Sequence, residues 1–485
     1  MKWNRVRRWS LIAAMAALPL IGWQCAVNPV TGKSELMLVS REQEIAMGQE
    51  SDASVVATYG VYDDPEIQTF IEEKGQAMAR ISHRPDLPYE FKVLDSPVIN
   101  AFAVPGGYVY FTRGILAYLN NEAEFAGVLG HEIGHITARH SAKQVSRAQL
   151  AQLGLGIGSI ISQDFAQYAN IASAGLGLVF MKFGRDAERQ SDDLGVEYST
   201  DIGYNSYEMA NFFRTLDRMS PDDGGALPSW FSTHPMSSER VDNVREATRQ
   251  LHEKQNINAA TLKVNRESYL RLIDGLVFGE DPRQGYFADG VFYHPDLKFQ
   301  FPVPADWKGV NTPSQVQIGS PDDQAAILFS LASQSTTEAA AQTFIQNAKA
   351  TVVSQRNDRV NGAPATVVES QIASQSGTLG VLSYFIAYSG NVYTFHGFSA
   401  STAFSGYRGV FQTTMEGFRA LNDPVRINVQ PDRIRIRNVP RDGTVREALT
   451  ALGVADDRLE LHSLINGMEL TDAVSRNSLI KVIAR

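Results

Sequence analysis

Two histidines and a glutamate stand together at His131-Glu132-Ile133-Gly134-His135. On a helix, residues four apart lie on one face, about one turn from each other. His131 and His135 held that way can share a metal ion. Glu132, one step round the helix, can then reach a water on that ion and act as general base. The alternative is a pair of packed core histidines. Three polar groups without partners in an apolar stripe would each carry a desolvation cost, so the metal reading is preferred. His140, five residues on, is expected to face elsewhere as a surface or packing residue.

A catalytic site on such an ion needs a third protein ligand and one open position. The stretch Arg185–Val196 carries Glu188 and Asp192 four apart, on one face of a second expected helix. Glu188 can be the third ligand, and Asp192 can then accept a hydrogen bond from a ligand histidine. Acids are plentiful here, and spacing alone equally allows a solvated charged face.

Several elements must position these residues. Asn120–Ser141 reads as one helix, with Asn120 or Asn121 as cap and Glu122 and Glu124 at the positive end of its dipole. Its apolar residues Phe125, Val128, Leu129, Ile133 and Ile136 recur at the spacing of a buried stripe. Upstream, Ser40-Arg41-Glu42-Gln43 is a capping-box pattern opening a helix to about Tyr59, and Pro65 starts another to about Ile81. Strands are expected at Tyr89–Leu94, Ala101–Val104 and Tyr108–Thr112, the last two forming a hairpin around Pro105-Gly106-Gly107 just ahead of the metal helix. Residues 144–183 are rich in Gly, Ala, Leu and Ile. Gly154, Gly156 and Gly158 lack the preceding strand and spacing of a nucleotide loop, and packed helices are expected rather than a membrane span. Ser238–His252 and Ala259–Gly275 read as helices closing the domain.

The stretches NPVTGKSELMLVSREQE, NAFAVPGGYVYFTRGIL, EAEFAGVLGHEIGHITARH, ERQSD and FSTHPMSSER, the last at Phe231–Arg240, together carry a specific resemblance over roughly residues 28–250. The chain resembles the zinc metallopeptidases of the CAAX prenyl endopeptidase type, in their soluble periplasmic branch of beta-barrel assembly-enhancing proteases. The resemblance implies a mainly α zincin domain and one zinc ion per chain. His131, His135 and Glu188 would be the ligands, Glu132 the base and Asp192 the group that orients a ligand histidine. His234, in Ser-Thr-His-Pro, is a further catalytic candidate: it either stabilises the oxyanion or occupies the open zinc position and silences the enzyme. Arg240 is expected to pair with a site carboxylate. The hairpin edge near the site suits an extended substrate adding by backbone hydrogen bonds, or is purely structural.

The N-terminus differs in kind from the rest. Lys2, Arg5, Arg7 and Arg8 precede the apolar run Leu11–Gly22, the pattern of a secretory signal over residues 1–24. Removing its four basic side chains takes the net charge from −9 to −13, a poor match for nucleic acid. The single cysteine, Cys25, follows at once and resembles the lipidated cysteine of bacterial lipoproteins, although Gln24 stands where a small residue is usual. One cysteine makes no internal disulfide. With 485 residues, 44% hydrophobic and 20% charged, the chain can build several packed domains.

Beyond about Gly290 the pattern turns to alternating strands: Phe292–Phe301, Ala325–Ala332, Ala365–Ser370, Gly380–Ala387 and Asn391–Ser399, with helices at Thr336–Val353 and Ser405–Phe418. This reads as an α+β accessory domain over 290–422 that resembles PsbP-like folds. His294 and His396 are expected to be packing residues. After a linker from Asp423 to Pro431, residues 431–485 are similar to LysM modules, a small α/β unit that holds peptidoglycan glycans. The expected organisation is a signal at 1–24, a zinc metallopeptidase domain at 25–280, the accessory domain and the LysM-like module.

The expected function is a zinc-dependent endopeptidase of the bacterial envelope, periplasmic and anchored to the outer membrane through Cys25. Its expected substrates are misfolded or stalled envelope proteins, and its expected partners are the outer-membrane assembly machinery and peptidoglycan. The alternatives are an outer-membrane assembly factor or chaperone with a gated protease site, and a peptidoglycan hydrolase.

Overall fold

The computed structural model describes residues 25–152, 178, 181–219, 230–234, 239–374 and 377–485. The expected signal, the Gly154–Gly158 run and Pro235 lie outside these residues. The described residues divide into two units: one takes those up to 56, 61–276 and 434–482, the other 57–60, 277–433 and 483–485.

The first unit opens with an antiparallel pair, β1 (Cys25–Val27) and β2 (Ser34–Leu36). The Ser40 amide donates to Gln43 Oε1 at 2.7 Å and the Gln43 amide to Ser40 Oγ at 3.2 Å, the expected capping box at the start of α1 (Arg41–Tyr59). Asp64 caps α2 (Pro65–Ile81), accepting from the Glu66 and Ile67 amides. Three strands follow, β3 (Glu90–Leu94), β4 (Ala101–Val104) and β5 (Tyr108–Thr112), in the order β3-β5-β4. Gly106 and Gly107 turn β4 into β5 at φ +89° and +113°, where a side chain would be strained. The hairpin does not lead straight into the metal helix, because α3 (Arg113–Tyr118), buried along its length, intervenes.

The metal helix is shorter than its pattern. It is α4 (Glu122–Thr137), capped by Asn121 Oδ1 accepting from the Glu124 amide at 2.8 Å, and every one of its residues is buried. The expected run to Ser141 breaks at Arg139, which adopts φ +57°. Its Nε donates to Glu44 Oε1 at 2.5 Å and its Nη2 to the Val39 carbonyl at 2.8 Å, contacts a continuing helix would not reach. A separate helix, α5 (His140–Gln152), starts there in a new direction. The helices α6 (Arg185–Asp201), α7 (Tyr207–Asp217), α8 (Trp230–Thr233), α9 (Glu239–Gln255) and α10 (Arg266–Leu272) follow. The helix expected over Ala259–Gly275 is instead a single turn at Ala259–Thr261 and α10, divided by Asn265 at φ +52°.

The second unit is β-rich. Its strands are β6 (Tyr286–Ala288), β7 (Val291–His294), β8 (Phe299–Pro302), β9 (Lys308–Asn311), β10 (Gln315–Gly319) and β11 (Ala325–Leu331). After α11 (Thr337–Asn347) come β12 (Thr351–Val360), β13 (Ala363–Ser374), β14 (Gly377–Tyr388) and β15 (Asn391–Ala400), then α12 (Phe404–Glu416), β16 (Arg419–Ala420) and α13 (Pro424–Ile427). Seven strands make an antiparallel sheet in the order β12-β13-β14-β15-β11-β10-β9, and β16-β8-β7-β6 make a second. Phe292, Phe299, Phe301, Phe329, Phe395 and Phe411 fill the core. The single strand expected at Phe292–Phe301 is a hairpin of β7 and β8. The helix expected over Thr336–Val353 ends at Asn347, since Lys349 turns the chain at φ +49° and the β-branched Thr351, Val352 and Val353 lie in β12.

The C-terminal stretch returns to the first unit. It holds β17 (Arg433–Asn438), β18 (Gly443–Thr444), α14 (Val445–Ala451), α15 (Leu459–Ile465), β19 (Ala473–Val474) and β20 (Leu479–Ala484), with β17 on β20 and β18 on β19. Lys481 is fully buried, and its Nζ donates to the Ala117 and Leu119 carbonyls, both at 2.8 Å, where α3 ends ahead of the metal helix. Among the described residues no helix is long and apolar enough to cross a membrane.

Candidate metal centre

Two glycines set the spacing of the site. A Cβ on Gly130 of α4 would stand 3.0 Å from the Gly195 backbone of α6, and one on Gly195 would stand 3.0 Å from the Gly127 carbonyl and 3.1 Å from the His131 amide. The helices therefore approach backbone to backbone. Glu188, Asp192 and Gly195 follow helical spacing on α6, so this close seam brings both carboxylates against the histidines of α4.

His131 Nε2 lies 3.1 Å from His135 Nε2 and 3.2 Å from His234 Nδ1. Glu188 Oε1 lies 3.1 Å from His234 Nδ1 and 3.5 Å from His135 Nε2. One ligand atom from each of His131, His135, Glu188 and His234 falls within 4.8 Å of all the others, and all four residues are buried. The sequence reading drew three ligands from two helices and left His234 with two roles. The structure brings His234, at the end of α8, into the cluster with the other three. Trp230 stacks on its ring at 4.3 Å and 28°.

Glu132 stands beside the cluster, its Oε1 3.7 Å from His234 Nε2. Both atoms are buried and neither has a hydrogen-bond partner. Orphaned polar atoms at one point, next to four converging nitrogen and oxygen donors, fit a bound cation and its water. Imidazole nitrogens with a carboxylate suit zinc. Burial, with the His131, His140 and His234 rings close by, holds the His135 imidazole far below its usual pKa, so it is neutral as a ligand must be. Burial also raises the Glu132 carboxyl, against the pull of His234 and His131.

Asp192 and Arg240 adjoin the cluster. Asp192 Oδ1 lies 2.9 Å from His131 Nδ1, and the Arg240 guanidinium spans Asp192 and Glu188, its Nη1 3.1 Å from Glu188 Oε2. Burial lifts the Asp192 carboxyl, but Arg240 and His131 outweigh it and leave it below the usual carboxylate range. Cys25, in β1, pairs with Leu36 and is no part of this site. The strand β4 stands at a sheet edge, yet all four of its residues are buried.

Sequence reasoning missed four neighbours. His140 does not face away: its Nδ1 is 3.0 Å from His135 Nδ1, because the break at Arg139 folds α5 back. Gln190 Oε1 is 3.0 Å from His140 Nε2, Phe183 packs on the His135 ring at 4.1 Å, and Trp230 supports His234. Nothing in the local spacing marks them: His140 depends on the break at Arg139, Phe183 precedes α6, Trp230 opens the short α8, and Gln190 stands on α6 two residues from Glu188 with no ligand spacing of its own.

Residues 65–248 match the description peptidase family M48. The chain is 28% identical over 232 residues to the beta-barrel assembly-enhancing protease of Yersinia pestis, covering 46% of this chain and 47% of that protein. It is 28% identical over 210 residues to the mitochondrial metalloendopeptidase OMA1 of Arabidopsis thaliana, covering 43% of this chain and 42% of that protein. The chain thus spans about half the length of the curated relatives it matches. Among solved structures, cyanobacterial PsbP from Synechocystis sp. PCC 6803 covers 27% of this chain and 91% of its own, at 13% identity and a TM-score of 0.24, too low to bear on the fold. The matched segment, which is similar to peptidase family M48, holds the whole four-donor cluster and the glutamate beside it.

Proposed function

We propose that the chain is a zinc-dependent metalloendopeptidase, with His131, His135 and Glu188 as ligands and Glu132 as general base. The observation that carries this reading is the convergence of the four donors beside the unpartnered Glu132 Oε1. When bound, zinc supplies a Lewis acid that activates a water and polarises the scissile carbonyl. Glu132 Oε1 takes the proton from that water and passes it to the leaving amine. Asp192, fixed by Arg240, keeps the His131 proton on Nδ1 and so turns the Nε2 lone pair to the ligand point.

His234 favours the second of its two roles. Its Nδ1 stands at ligand distance from His131 and Glu188, the place a three-ligand site reserves for water. In this arrangement it gates the site and must swing away to admit water. A gated site also agrees with the second reading, an assembly factor or chaperone for outer-membrane proteins. The substrates we propose are misfolded or stalled envelope proteins in the periplasm, with Cys25 as a lipid anchor and the LysM-like residues 431–485 as a contact to peptidoglycan. The test is casein cleavage by the purified chain and by Glu132→Gln. Cleavage that persists in Glu132→Gln refutes the mechanism, and cleavage absent from both chains favours the chaperone.

A further inference from the structure

His135 must carry its proton on one particular nitrogen. Its Nε2 faces the cluster, 3.1 Å from His131 Nε2 and 3.5 Å from Glu188 Oε1, so a metal there requires that nitrogen bare and the proton on Nδ1. That Nδ1–H needs an acceptor in a buried place. The one 3.0 Å away is His140 Nδ1, which can accept only if His140 holds its own proton on Nε2. His140 Nε2 in turn stands 3.0 Å from Gln190 Oε1, a carbonyl oxygen that accepts and never donates.

We infer that Gln190 and His140 form a positioning relay that fixes the His135 tautomer and presents its Nε2 to the metal. The direction is set at the far end. The Gln190 carbonyl demands a donor, so His140 carries Nε2–H. Its Nδ1 is then a lone pair, which demands Nδ1–H on His135. The Ser191 hydroxyl, 3.4 Å from His140 Nδ1, is a longer and weaker competitor for that lone pair. Phe183 lies against both rings, at 4.1 Å from His135 and 6.0 Å from His140, and helps hold them in register. The ligand helix α4 and the acid helix α6 are thereby joined on both sides of the site, through Asp192 to His131 and through Gln190 and His140 to His135. The inference rests on the metal-site reading above and adds to it the residues that orient the second histidine.

The test uses the full chain in four forms: wild type, His140→Leu, Gln190→Leu and Gln190→Glu. Zinc affinity is read by competition with a chromophoric chelator. His140→Leu and Gln190→Leu are expected to weaken zinc about 10- to 100-fold, while Gln190→Glu, which keeps an acceptor, stays within about threefold of wild type. Gln190 is partly exposed, so its variants spare the core. Nitrogen NMR of the histidine-labelled, metal-free chain reads the tautomer directly. It should show His135 protonated on Nδ1 in wild type and Gln190→Glu, and a mixture in Gln190→Leu. Equal affinity in all four chains, or a His135 tautomer indifferent to Gln190, overturns the relay. Zinc binding by the wild type tests the earlier reading separately, and the tautomer measurement needs no metal.

Discussion

Arg240 holds Asp192 by both carboxylate oxygens, Nε to Oδ2 at 2.9 Å and Nη2 to Oδ1 at 2.6 Å, in a place where both residues are about 5% exposed or less. A bidentate pair of this kind is rigid as well as strong, and it anchors the carboxylate that faces His131. Removing one partner leaves a buried charge without compensation. Arg240→Ala is therefore expected to destabilise the chain by about 3–5 kcal/mol, measured by urea unfolding. A double variant, Arg240→Met with Asp192→Leu, should cost less than the sum of the two single changes, since the residues are coupled. Strict additivity would show that the pair does not act as one.

Glu132→Gln keeps the shape of the side chain and removes its basicity. Casein cleavage should fall by about 10²- to 10⁴-fold, the range of general acid–base catalysis. Zinc content should stay at one per chain, because Glu132 is outside the proposed ligands and outside the four-donor cluster. Loss of zinc together with activity would move Glu132 from base to ligand.

Chelation should abolish cleavage, and added zinc should restore it. It should also lower stability, since a ligand that binds only the folded state stabilises it, by about 2.7 kcal/mol at a free concentration 100-fold above Kd. A thermal midpoint indifferent to the chelator would contradict metal binding at the four buried donors.

Glu44 anchors the end of the metal helix. It is 1% exposed, its Oε2 accepts from Arg84 Nη1 at 2.6 Å, and its Oε1 from Arg139 Nε at 2.5 Å. Glu44→Ala would strand two guanidinium groups and is expected to cost about 3–5 kcal/mol in urea unfolding. Because Arg139 sets the direction of α5 and so the place of His140, zinc affinity should weaken as well.

Acid should weaken the second unit through His396. Burial holds this imidazole at about 4, against a usual value near 6.5. The unfolded chain therefore takes up the proton first as pH falls. The stability is fully present above about pH 6.5 and is lost between there and about pH 4. The ring stacks on Phe344 at 4.4 Å and lies 2.9 Å from Ser383 Oγ. His396→Leu should make stability at about pH 4.5 less acid-sensitive by about 2 kcal/mol, allowing for partial exposure. An unchanged pH profile of urea midpoints would show that His396 is not the sensitive group.

Local rules in the chain determined the capping of α1, the start of α2, the strands β4 and β5, the buried stripe of α4 and the face shared by Glu188 and Asp192. These depend on neighbours within a turn or two, so spacing and residue type suffice to fix them. Tertiary structure decided the rest. The stretch reads as one helix on to Ser141, and only the distant Glu44, holding Arg139, ends the helix there and folds His140 back onto His135. His234 reaches the ligands from 103 residues beyond His131, on a loop whose sequence reads equally well as an oxyanion site. Lys481 looks like an ordinary strand residue, yet it is buried against the carbonyls ahead of the metal helix. A contact between distant segments leaves no period in the sequence, because it depends on where the whole core places two backbones rather than on what stands beside either residue.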